Sequence, residues 1–183
     1  MNLKNAFYDI PSKYDEKYLV HALNRLHIFM TDTEIKSYLG NINIIKYGEL
    51  DSYNHINEIL PENNSSCIIL VETKYNVGHF VSIARKDNTI IQFDSYGSKI
   101  DTELNYISKI MKRILGEDRN ELDNLIKKSN MNTIWNKTKY QSNKKVCGEQ
   151  SSICGRACIV FNQLFRMGCS LEDMDKFIKN KKE

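Results

Sequence analysis

The feature that most constrains this chain is a pair of β-rich runs, HFVSIAR at 79–85 and TIIQFD at 89–94, separated by Lys86, Asp87 and Asn88. Short runs of β-branched and aromatic residues flanking an Asp-Asn pair are the pattern of a β-hairpin. With Asp87-Asn88 as a two-residue turn, Lys86 faces Thr89 and the numbers of paired residues sum to 175. Val81 then lies opposite Asp94, and His79 opposite Tyr96. Because side chains alternate, His79 and Asp94 become diagonal neighbours on one face, with Cα atoms roughly 7–8 Å apart. A four-residue loop centred on the same pair keeps this register. A three-residue loop would send the two side chains to opposite faces.

A carboxylate beside an imidazole fixes the ring tautomer and stabilises the imidazolium that forms when a thiol gives up its proton. Local sequence by itself is better served by a loop histidine and an aspartate opening the turn FDSYG. Of the other histidines, His21 and His27 fall on the face of an N-terminal helix, and His55 sits in a polar stretch.

CIILVE at 67–72 is a continuous apolar run, as expected of a buried strand. Before it, YDEKYLVHALNRLHIFM has helical spacing, and TDTEIKSYLG reads as a short helix with a Thr31/Glu34 capping box and a Gly40 stop. NINIIKYGEL is a loop or short strand, and PENNSS a turn. After the hairpin, DTELNYISKIMKRIL and RNELDNLIKK read as two amphipathic helices and TIWNKTKYQ as one more strand. Residues 153–167 and 171–180 read as closing helices. This order predicts an α+β fold in which helices pack on a mixed or antiparallel central sheet.

At 183 residues the chain is expected to be a single domain over 1–183, with an N-terminal helical segment at 1–45. Charged residues at 27% and hydrophobic residues at 41% match a soluble globular protein. The net charge of +3 is too small to point to nucleic acid, and the basic tail KFIKNKKE reads as a solvated helix end. No stretch approaches the length of an apolar membrane span, and the N-terminus is too polar for a secretory signal. The five cysteines, Cys67, Cys147, Cys154, Cys158 and Cys169, form no C-x-x-C pair. Reduced thiols in an intracellular setting are expected, and no cofactor or metal.

In SSICGRACIVFNQLF, residues 151–165, the positions Ala157, Cys158, Phe161, Leu164 and Phe165 follow the helical period. A helix starting near 152–154, with Ser151 or Ser152 as N-cap, puts Cys154 in its first turn. Unpaired N–H groups there favour thiolate over thiol. Cys147 also precedes a glycine, but a helix from there would include Gly148, two serines and Gly155, all poor helix formers. Cys67 and Cys158 read as core thiols and Cys169 as a turn residue.

The order GHFVSIARKDNTIIQFDSYG, WNKTKYQS, ICGRAC resembles the adenain-like cysteine proteases, kin of the ubiquitin-like-protein proteases, particularly the versions carried by large double-stranded DNA viruses. The likeness covers roughly 66–178, the expected catalytic core. It implies the adenain-like fold, with the nucleophile on a helix. His79 is implied as general base, Asp94 as its orienting acid, Gln141 as an oxyanion donor and Cys154 as the nucleophile. Gln141 lies thirteen residues before Cys154 but six before Cys147, and the family spacing is nearer the second. Three alternatives follow: an insertion at KKVCGEQ, Cys147 as nucleophile, or Gln150 as the donor.

The resemblance further implies an endopeptidase that works through a thioester on a protein or peptide substrate with small residues at the cut. A viral member is expected to process precursor proteins during virion maturation, in host cytoplasm, nucleus or virion. A deconjugase of ubiquitin-like modifiers, an acyltransferase and a non-enzymatic scaffold are the alternatives. No membrane partner is expected, and a nucleic-acid activator and the oligomeric state are left open.

Overall fold

A computed structural model describes residues 30–140 and 153–179. The capping box forms as its sequence predicts. The Glu34 N–H donates to Thr31 Oγ1 at 3.3 Å, and the Thr31 N–H donates back to the Glu34 carboxylate at 2.8 Å. Helix α1 (Asp32–Leu39) follows, and Gly40 stops it at φ 69°.

Five strands make one sheet: β1 (Asn43–Lys46), β2 (Ser66–Lys74), β3 (Val77–Lys86), β4 (Thr89–Phe93) and β5 (Asn132–Trp135), in that spatial order. β1 runs parallel to β2, β2 and β4 run antiparallel to β3, and β5 runs parallel to β4, so the sheet is mixed. NINIIKYGEL therefore supplies a strand and then a 3-10 turn, Tyr47–Ser52. The β3–β4 register pairs Lys86 with Thr89, Ile83 with Gln92 and Ser82 with Phe93, each summing to 175. Asp87 holds the turn in left-handed backbone, φ 53°.

The remaining helices are α2 (Ile56–Ile59), α3 (Ile100–Glu103), α4 (Lys109–Leu115), α5 (Glu121–Lys128), α6 (Cys154–Arg166) and α7 (Leu171–Lys179). They cover both faces of the sheet, giving an α+β fold of three layers. One core joins Ile68, Leu70, Phe80, Ala84, Ile91 and Phe93 to α1, α6 and α7. The other joins Ile69, Val71, Val81, Ile83 and Ile90 to α2, α3 and α5. Burial on both faces explains why CIILVE reads as an unbroken apolar run.

Two expectations need correction. The single helix expected from DTELNYISKIMKRIL is broken into α3, a 3-10 turn (Leu104–Tyr106) and α4. Ile107 is extended, and Ser108 Oγ accepts the Met111 N–H at 3.3 Å to start α4 afresh. An unbroken helix would carry Met111 and Ile114 along the face of Ile100, Leu104 and Ile107; the break instead leaves Ile114 exposed. The second correction is the cap of α6, which is Ile153, without a side-chain hydrogen bond. Ser151 and Ser152 lie outside the described residues. Among the described residues no helix is long and apolar enough to cross a membrane.

Candidate active site

β4 ends at Phe93, while β3 continues past its partner to Val77. His79 is paired with Val71 of β2 on one side and lies beyond the last β4 residue on the other. The diagonal reach predicted from the register is made: His79 Nε2 lies 2.6 Å from Asp94 Oδ1. The two are nearly closed off, with 12% of the His79 side chain and none of the Asp94 side chain exposed. The ring of Tyr96, the residue that the register sets opposite His79, lies against the imidazole with centroids 4.8 Å apart.

Asp94 is fixed by its own turn. Its Oδ1 also accepts the Tyr96 N–H at 3.0 Å, and its Oδ2 the Ser98 N–H at 3.2 Å. Its carbonyl takes the Gly97 N–H at 2.9 Å. Gly97 is at φ 76°, and a Cβ there would stand 2.9 Å from the carbonyl oxygens of Lys137 and Thr138, so only glycine fits. Asn136 clamps the backbone of Asp94 from the far side. Its Oδ1 accepts the Asp94 N–H at 2.8 Å, and its Nδ2 donates to the Asp94 carbonyl at 2.7 Å and to that of Thr138 at 3.1 Å.

Cys154 opens α6 and is buried against Phe80. The His79 ring acts on its thiol, and with the backbone N–H groups of Phe80 and Gly155 it favours the thiolate. Since Nε2 is taken by Asp94, Nδ1 is the ring nitrogen left for the sulfur. Gly155 permits the approach: a Cβ there would lie 3.1 Å from Met30 Cβ and 3.5 Å from the Phe80 ring. Burial by itself would raise the Cys154 pKa. The hydrogen bond and charge of His79, with the two N–H groups, outweigh it and hold the thiol below its ordinary value. Burial likewise opposes charge on His79, yet its hydrogen bonds to Asp94 and Cys154, with their charges, push it up to about 10. Both shifts favour a thiolate–imidazolium pair.

The other thiols differ. Cys67 is pushed up to about 12 by burial, and Cys158, also desolvated, is raised well above its usual value. Cys169 is only partly buried and is raised by desolvation and by Asp173. His55 is the N-cap residue of α2. Gln141, Cys147 and Gln150, together with His21 and His27, lie outside the described residues.

Asn136 and Glu103 escaped the sequence reading. Asn136 simply follows a short strand, and nothing local marks it. Glu103 belongs to a stretch that read as one amphipathic helix. It is 7% exposed and stands beside Asp94. Ligand atoms of His79, Asp94 and Glu103 all fall within 4.8 Å of one another. The spacing of the first two is that of a hydrogen bond; ligands about 2 Å from a tetrahedral zinc would stand roughly 3.3 Å apart.

Beside Cys154 opens a cleft of about 800 Å³. Its lining mixes the apolar Met30, Leu70 and Phe80 with the charged Asp32, Lys46 and Glu49. The chain is similar to Uncharacterized protein V9 of Sputnik virophage, with 29% identity over 135 residues, or 73% of this chain and 74% of that protein. No family model and no solved structure matches the chain.

Proposed function

We propose that the chain is a cysteine endopeptidase of the adenain-like fold that cleaves peptide bonds through a thioester and processes viral precursor proteins. The observation that carries the reading is the buried imidazole held between a fixed carboxylate and a thiol at a helix start, with the two pKa values displaced toward the ion pair. The virophage source of the similar protein supports the viral part of the proposal.

In this reaction His79 holds the proton of Cys154, and the thiolate attacks the scissile carbonyl. The first-turn N–H groups of α6 stabilise the developing oxyanion, joined by Gln141, the donor that the family resemblance implies. The imidazolium then passes its proton to the leaving amine, and the carbonyl carbon stays on sulfur as a thioester. His79 next takes a proton from water, which attacks the thioester and releases the acid. Asp94 keeps Nε2 protonated throughout, so Nδ1 faces the sulfur.

A glycine-ending peptidyl vinyl sulfone, followed by mass spectrometry of the adduct, tests the assignment. Attachment to Cys154, absent in His79→Ala, together with hydrolysis of the matching fluorogenic peptide, is expected. Labelling of Cys154 no faster than of Cys67 or Cys169 would refute it.

A further inference from the structure

Asp94 already accepts three N–H donors, from the His79 ring, Tyr96 and Ser98. An oxygen of Glu103, at the end of α3, lies within 4.8 Å of an oxygen of the same carboxylate, while its Oε1 has no partner and is buried. Two buried carboxylates cannot meet with both ionised, so a proton must lie between them. Asp94 is the oxygen pair surrounded by donors that favour its charge. Glu103 has none of them, so the proton belongs on Glu103.

We propose that Glu103 is a positioning residue for the His79–Asp94 pair: its protonated carboxyl donates to Asp94, and its ionisation retunes the ring that faces Cys154. This rests on the reading of His79 and Cys154 as a reacting pair. Burial first, then the charge of Asp94, pushes Glu103 up to about 7, against the opposing charge on His79. The groups facing it are His79 from β3, Asp94 after β4 and, across the ring, Cys154 from α6. On α5, which packs on α3, Asp123 is engaged elsewhere, 3.7 Å from Lys99 and with its N–H on Asp101. Below neutral pH the protonated carboxyl draws charge from Asp94. Above it the added negative charge holds the imidazolium more firmly and makes His79 a poorer proton donor to a leaving group.

The test uses the full chain with ring-labelled histidine, following the His79 titration by NMR and, separately, Cys154 alkylation by iodoacetamide against pH. Glu103→Gln keeps a donor for Asp94 but cannot ionise. It should lower the His79 midpoint by about one unit, the ordinary effect of losing a nearby charge. It should also remove the inflection near neutral pH from the alkylation profile while leaving the rate below neutral pH close to wild type. Glu103→Leu, which removes the donor, should lose that rate as well. Unchanged His79 midpoints in both variants, with only the melting temperature affected, would reduce Glu103 to a structural residue and overturn the proposal. An ordinary thiol titration of Cys154 in the wild type would instead sink the nucleophile reading, whatever the His79 midpoints do.

Discussion

Asn136→Ala should loosen the site without touching a reacting atom. The substitution removes three hydrogen bonds made by one amide that is 3% exposed. The losses are unequal. The Asp94 carbonyl still holds the Gly97 N–H, so it forfeits only a second donor. The Thr138 carbonyl loses its bond as well, and losses of this kind are worth about 0.5–1.5 kcal/mol each. The Asp94 N–H is left buried with nothing to bond, which costs about 1–3 kcal/mol. The total is roughly 2–6 kcal/mol out of a stability of about 5–15 kcal/mol. For a chain of this size each kcal/mol is worth about 2–4 °C, so the melting temperature should fall by roughly 4–24 °C. Urea melts of wild type and variant give the free-energy difference, and Cys154 alkylation in the native range gives the effect on the site. Both should drop. A loss under about 1 kcal/mol with wild-type alkylation would show that the clamp does not hold Asp94, and that the turn alone suffices.

The depressed Cys154 and raised His79 predict a thiolate window between them, so Cys154 should alkylate faster than Cys67, Cys158 and Cys169 at neutral pH; His79→Ala should abolish the difference. Gly78→Ala should unfold or severely weaken the β2–β3 hairpin, because the added Cβ would lie 2.0 Å from the Val71 carbonyl oxygen; a near-wild-type melt would contradict the backbone approach. Glu117 accepts the Glu72 N–H at 2.8 Å, and burial raises it from 4.5 to about 7. The folded state therefore keeps a proton that the unfolded chain has lost, and stability should be full below pH 4.5 and fall as pH rises toward 7, by at most about 1.4 kcal/mol per unit. Glu117→Gln should flatten that slope in urea melts taken across this range.

Much of the framework was legible from local sequence. Asp87-Asn88 between two β-rich runs specified a register that places His79 diagonal to Asp94. Thr31 and Glu34 marked the start of α1, and the apolar period after Gly155 marked α6. The break at Ile107–Ser108 was not legible, because the apolar spacing of 100–114 is equally good for one helix. In the fold Ile100, Leu104 and Ile107 are buried in one core, while Ile114 beyond the break is exposed.

By itself the sequence determined the hairpin, the α+β order and the thiol at a helix start, because these depend on period, turn chemistry and caps within a few residues. It could not determine what surrounds Asp94. Asn136, just after β5, reaches the backbone of Asp94 because the sheet places β5 beside β4, and Glu103 from α3 comes within 4.8 Å of its carboxylate. Nor could it set the protonation of the site. Charge on His79, Cys154 and Glu103 depends on burial and on distances of a few ångströms between segments far apart in the chain, and only tertiary packing supplies those.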